Sequence, residues 1–207
     1  DPMDRIAAAE ADLFRVAEGA ATGNEASSFR DASLTAIKMV EAAMNSGGGL
    51  SGKTTGLETI DQKTSGLHDS DLIILAGRPG MGKTSLATNI AFNCAEEHLK
   101  WQSEGGEHQY GAPVAFFSLE MSADQLATRI LAEQSEVSSE ALRSGKMSRE
   151  DFQKLSFASQ RLAELPLFID DTPALTIAAL RTRARRLKRR HDIGLMVVDY
   201  LQLLQGS

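Results

Sequence analysis

Residues 77–84, Gly-Arg-Pro-Gly-Met-Gly-Lys-Thr, follow the pattern G-x-x-x-x-G-K-[ST], which constrains the fold more than any other feature of the chain. Such a loop needs a strand before it and a helix after it. Asp71-Leu-Ile-Ile-Leu-Ala76 is short, apolar and branched, as a buried strand is. Ser85–Cys94 carries Leu86, Ile90 and Cys94 on one side at helical spacing. Gly77 and Gly82 are expected to take backbone conformations closed to other residues, so that amide N–H groups converge on phosphate oxygens. The positive end of the helix dipole points to the same place. Lys83 is expected to reach β- and γ-phosphates and the Thr84 hydroxyl to ligate Mg²⁺. Arg78, Pro79, Gly80, Met81 and Ser85 complete the expected nucleotide-binding set. A glycine turn that only joins a strand to a helix is the plainer alternative. The motif, however, fixes three residue types and sits in the required setting, so it predicts nucleotide binding.

A chain of 207 residues holds one domain or two small ones at about 150 residues per domain. Its longest apolar runs are about six residues, against the roughly 20 that span a bilayer. The start, Asp-Pro-Met-Asp-Arg, lacks a basic region followed by an apolar core, so no secretory signal is visible. The single cysteine, Cys94, has no internal disulfide partner and is expected to pack in the core. These features suggest a cytoplasmic protein without a membrane partner. The net charge of −6 argues against a uniformly basic nucleic-acid binder. Residues 176–191 are the exception: Arg181, Arg183, Arg185, Arg186, Lys188, Arg189 and Arg190 occur there without an acid. That excess suits a phosphate backbone or an acidic protein surface.

Helical patterns are expected over residues 4–19 and, after Gly23 and Asn24, over Ser28–Asn45. The second has Phe29, Leu34, Ile37 and Val40 on an apolar face with Met44 nearby, and Ser46-Gly-Gly-Gly49 ends it as a flexible join. An isolated helix of this length is marginal in water. Its apolar face therefore packs either on the chain's own globular domain or on another subunit. After this tether, four apolar runs (Leu72–Ala76, Val114–Phe117, Leu165–Ile169 and Leu195–Val198) alternate with helical patterns over Lys83–His98, Ser122–Gln134, Ser148–Ala163 and Thr176–His191. Ser122 with Gln125 forms a capping-box pattern, and Ser148 with Asp151 resembles a helix start. Lys100–Gly111 reads as a surface loop. The expected organisation is a helical linker region (1–49) and an α/β domain (50–207) whose mostly parallel sheet is covered on both faces.

Glycine-loop nucleotidases need a carboxylate at a neighbouring strand end to hold Mg²⁺ or its water shell. Asp199 fits, since it follows Leu195-Met-Val-Val198 at the C-terminal strand edge, where ligands of open α/β sheets bind. Glu120, just past Val114–Phe117, is the candidate to position or deprotonate an attacking water; a solvated glutamate favouring the helix start is the alternative. Asp170 and Asp171 either face the nucleotide or cap the turn before Pro173. In the basic helix, Ile177, Leu180, Ala184 and Leu187 form an apolar stripe, leaving the arginines to a solvated or intersubunit face rather than a DNA site.

Gly77–Thr84, Phe117-Ser-Leu-Glu-Met121, the helix containing Arg185-Arg-Leu-Lys188 and Val198-Asp-Tyr-Leu-Gln-Leu-Leu204 together resemble the DnaB family of bacterial replicative DNA helicases. The similarity runs from about Ser27 to the end and includes Leu50-Ser-Gly, Thr55-Gly-Leu and Leu67-His-Asp-Ser-Asp-Leu72. It implies a RecA-like P-loop ATPase domain that assembles as a hexamer around single-stranded DNA and unwinds duplex DNA 5′–3′ at the replication fork using ATP and Mg²⁺. By the same resemblance Lys83 and Thr84 are the phosphate and Mg²⁺ residues, Glu120 activates water, Asp199 is the Mg²⁺-associated acid and Arg129 is an additional contact on the nucleotide side. Residues 28–45 match the family's linker helix, which packs on the adjacent subunit. A primase, a helicase loader and a nucleoid-associated cytoplasmic location are implied as well. The family's glutamine sensor, DNA-channel loops and arginine finger would follow Ser207. These 207 residues are therefore expected to bind nucleotide weakly and to unwind little. Two other readings fit parts of the pattern: a different RecA-like ATPase, such as a recombinase or regulator, or a non-enzymatic assembly module.

Overall fold

The computed structural model describes residues 12, 28–45, 50–106 and 108–205. In chain order the elements are α1 (Phe29–Asn45), α2 (Glu58–Thr64), α3 (Lys83–Glu104), β1 (Val114–Ser118), α4 (Ala123–Ser135), α5 (Ser139–Ser144), α6 (Arg149–Arg161), β2 (Leu167–Asp170), α7 (Ile177–His191) and β3 (Leu195–Asp199), with a 3-10 turn at Leu201–Leu203. The chain divides into two units, Asp1–Gly47 and Gly48–Ser207. In the first, α1 starts at Ser28, whose Oγ accepts from the Asp31 amide at 3.2 Å. Its apolar positions are exposed, Phe29 at 89% and Ile37 at 58%. Of the helix expected over 4–19, only Asp12 is among the described residues, and it is helical.

The second unit is built on a parallel sheet in the order β2-β1-β3. Val114 stands opposite both Leu167 and Leu195, and Ser118 stands opposite Asp199. Side chains alternate across a strand, so Val114 and Phe116 face one way and Ala115 and Phe117 the other; all four are buried. Ala91, Cys94 and Ala95 of α3 and Leu126 of α4 cover the first face. Ala179, Leu180, Ala184 and Leu187 of α7 cover the second. Burial on both faces explains why Val-Ala-Phe-Phe lacks a polar alternation. The expected α/β architecture is therefore present.

Several local expectations fail. Leu72–Ala76 is not a strand: Leu72 is 86% and Ile74 70% exposed, and the segment is irregular. A strand is stabilised by pairing with a neighbour, and among the described residues nothing pairs with 71–76. Lys100–Gly111 is not all loop, because α3 continues through Glu104; Gly105 then closes the helix by donating to the Trp101 carbonyl at 3.0 Å. Ile177 lies outside the packed stripe of α7, with Ala179 in its place. The box at Ser148 and Asp151 is closed reciprocally, so the shorter acid does the work of the usual glutamate or glutamine. Cys94 is in the core as expected, where burial pushes its thiol up to about 11.

An anchor that no sequence pattern marks fixes the entry to the domain. The buried Asp61 carboxylate accepts from the Thr54 hydroxyl at 2.6 Å, the Thr55 hydroxyl at 2.7 Å and the Thr55 amide at 2.9 Å. Asn93 of α3 then donates to the Thr55 carbonyl at 3.1 Å, tying the segment to the helix that begins at the phosphate loop. Asp61→Ala would strand these donors in the interior. The expected loss is about 3 kcal/mol, read as a lower denaturant midpoint at an unchanged slope.

Candidate active site

The phosphate loop is a left-handed turn closed by a helix start. Gly80 has φ +77° and Gly82 φ +80°, the region that side chains avoid. Gly82 is as expected, but the second such residue is Gly80 rather than Gly77. Gly82 is the N-cap of α3, so Lys83 and Thr84 occupy its first turn. The Lys83 ammonium folds over the loop and donates to the carbonyls of Gly77 at 2.9 Å and Arg78 at 3.2 Å. Among the described residues the Thr84 hydroxyl makes no hydrogen bond. A cation held above a glycine turn at a helix N-terminus suits the phosphates of a nucleotide.

The packing of α3 ties the helix that begins at the loop to the start of β1. Near its middle, Cys94 accepts from the Ala112 amide at 3.1 Å through its carbonyl. Gly111 lies so close that a Cβ there would strike the His98 amide. These contacts hold the later turns of α3 beside the chain that enters β1. Lys83 lies eleven residues earlier, about 16 Å along the helix. That length is close to the span of the five-residue strand β1.

Both predicted carboxylates belong to the C-terminal strand edge. Asp199 ends β3, is 7% exposed and stands opposite Ser118. Glu120 lies two residues beyond Ser118 and is exposed. The turn that carries it is held by its backbone: the Leu119 amide donates to the Asp199 carbonyl at 2.8 Å and the buried Ser118 hydroxyl to the Met121 carbonyl at 2.7 Å. Ser122 and Gln125 close the expected capping box at the start of α4. Glu120 and Asp199 are thus brought to adjacent strand ends.

The other candidates separate. Asp170 turns to α7, where Arg183 Nη1 reaches its two oxygens at 3.1 and 2.8 Å and Thr172 Oγ1 at 2.7 Å. It also accepts from the Thr172 amide at 3.1 Å, so it caps the turn before Pro173. Asp171 accepts from the Ala123 amide at 2.8 Å. Arg129 is partly buried in α4 with its Nη1 unpaired, and among the described residues no hydrogen bond or ion pair joins it to the phosphate loop. Ser118 and Asp171 each bond to a main-chain partner, and such partners leave no mark in sequence patterns.

Burial alone would raise the Asp170 carboxyl, but donors from Arg183 and Thr172 outweigh it and hold the group below its ordinary 3.8. The resulting stability is present above about pH 4 and is lost as pH falls through the lower folded-state value. In thermal unfolding followed from about pH 5 to about pH 2, Asp170→Asn is expected to lose less stability than the parent. An equal loss would remove Asp170 as the source.

Residues 52–207 match the family described as DnaB-like helicase C terminal domain. The chain belongs to this family. It is 43% identical over 210 residues to the replicative DNA helicase DnaB of Rickettsia conorii, covering 100% of this chain and 41% of the relative. It is 40% identical over 179 residues to that of Geobacillus stearothermophilus, covering 86% of this chain and 37% of the relative. The chain thus spans about two-fifths of the length of these curated relatives. Among solved structures, one described as an ATPase domain matches with a TM-score of 0.74 at 24% identity, over 87% of this chain and 60% of that one. A DnaB-like replicative helicase described with its primase interactions matches with a TM-score of 0.70 at 24% identity, over 93% and 44%. At that identity the structural likeness supports the fold alone, and it agrees with the expected RecA-like domain. Among the described residues no helix is long and apolar enough to cross a membrane.

Proposed function

We propose that this chain is the nucleotide-binding part of an ATP-dependent DNA helicase that unwinds duplex DNA at the replication fork as a hexameric ring. The observation that carries the proposal is the pairing of Ser118 with Asp199, which puts Glu120 and Asp199 at one strand edge in a chain that belongs to a helicase family. The amides of residues 77–85 and the Lys83 ammonium bind the phosphates. Thr84 and Asp199 would hold Mg²⁺, which would supply charge neutralisation at the phosphates; a hydroxyl that makes no hydrogen bond among the described residues and a buried carboxylate suit that ion. Glu120 takes the proton from water as its oxygen bonds to the γ-phosphorus and the bond to the β–γ bridging oxygen breaks, releasing ADP and phosphate. Arg129, with Nη1 unpaired among the described residues, is the additional contact on the nucleotide side.

The exposed apolar side of α1 is the assembly element, and its occupant is the adjacent subunit of the ring. Replacing Phe29 and Ile37 together with Ser in the full-length protein is expected to lower the mass per particle in light scattering. An unchanged mass would remove α1 from assembly. Single-stranded DNA, a primase and a loader are the partners this function requires, at the nucleoid. The reading is tested by ATP turnover of the full-length protein with and without single-stranded DNA. Stimulation is expected, and turnover indifferent to DNA would point to another RecA-like ATPase.

A further inference from the structure

We propose that Asp171 is a positioning residue for Glu120, holding the turn that carries the carboxylate in register with Asp199. The inference rests on the reading of Glu120 as the group that activates water.

Among the described residues, no hydrogen bond or ion pair holds the Glu120 side chain itself. Its location is therefore set by the backbone between the end of β1 at Ser118 and the start of α4 at Ala123. On the side of β3, this backbone is tied by the Leu119 amide to the Asp199 carbonyl. On the side of β2, it is tied by the Ala123 amide to Asp171 Oδ2 at 2.8 Å, across 48 residues of sequence. The sheet order β2-β1-β3 puts the two ties on opposite sides of the turn. With one removed, the turn is held from one neighbour only.

The bond is more than a helix start. The capping box of Ser122 and Gln125 already satisfies the Gln125 and Ser122 amides. The Ala123 amide is a separate first-turn donor, and its acceptor is a carboxylate oxygen in the favourable field of the helix N-terminus. The strand end that presents Asp171 is itself fixed, because the neighbouring Asp170 is held by Arg183 and Thr172. Arg183, Asp170, Asp171 and Ala123 thus brace the Glu120 turn from the helix layer on the opposite face of the sheet. A carboxylate that must meet water and a γ-phosphate together is sensitive to such bracing, since a displacement near 1 Å costs on the order of 100-fold.

The test uses the full-length protein and single-turnover ATP hydrolysis on single-stranded DNA, with nucleotide affinity and melting temperature measured alongside. Asp171→Ala is expected to slow hydrolysis about tenfold, the effect of a partial displacement, with nucleotide affinity unchanged. Asp171→Asn keeps an oxygen acceptor and is expected to recover most of the rate. In a Glu120→Gln background, Asp171→Ala is expected to slow the residual rate no further. A parental rate in Asp171→Ala, beside an inactive Glu120→Gln, would overturn the positioning role and leave the role of Glu120 standing. So would a full tenfold loss in the Glu120→Gln background, or a fall in melting temperature that accounts for the lost rate. A parental rate in Glu120→Gln would overturn the reading on which the inference rests.

Discussion

Lys83→Ala in the full-length protein is expected to weaken MgATP binding by about 100-fold and to leave no measurable turnover. The Lys83 ammonium sits over the phosphate loop, within 3.2 Å of the Gly77 and Arg78 carbonyls. Charge-assisted hydrogen bonds from such a group to phosphate oxygens are worth about 1.5–3 kcal/mol each. Losing about 2.8 kcal/mol corresponds to a 100-fold change in affinity. The transition state is affected more, because the leaving oxygen gathers charge beside the same ammonium. Fold stability is expected to change little, since the bonds lost are exposed and local to the loop. Titration with a fluorescent ATP analogue measures the affinity and a melting curve checks the fold. Parental affinity in Lys83→Ala would mean that the loop is not the phosphate site.

Glu120→Gln is expected to separate binding from chemistry. The amide keeps the size and exposure of the side chain, so the backbone ties of Leu119, Ser118 and Ala123 remain. It cannot accept the proton that water must lose as it attacks. General-base catalysis contributes on the order of 10²–10⁴-fold, and single-turnover hydrolysis should fall by that amount. Nucleotide affinity should remain near the parental value, because Glu120 is assigned to the water and not to the phosphates. This split distinguishes it from Lys83→Ala, in which both quantities fall. Loss of affinity with retained turnover would place Glu120 in binding and leave the base unassigned.

The parts of the site legible in sequence are those specified by local order. The phosphate loop declares itself by residue type at fixed spacing, and Glu120 and Asp199 by following apolar strands. The helix starts at Ser122 and Ser148 are similarly local, because a cap bonds within three residues. What stayed hidden depends on partners far along the chain. Leu72–Leu75 has the composition of a buried strand and is exposed, because apolar composition does not supply a neighbour to pair with. Asp61, with its two threonines and the link through Asn93, leaves no periodic signal. Asp170 and Asp171 are adjacent in sequence yet serve different elements, α7 and α4. Their separation follows from the alternation of side chains at the strand end and from the place of β2 beside β1.

Strand displacement on a forked DNA duplex, by the full-length protein with MgATP, tests the helicase assignment most directly. The parent is expected to release the displaced strand, and Glu120→Gln, bound to nucleotide and DNA, to release none. A parent that hydrolyses ATP on single-stranded DNA but leaves the fork intact would contradict the assignment, as would unwinding by Glu120→Gln at the parental rate.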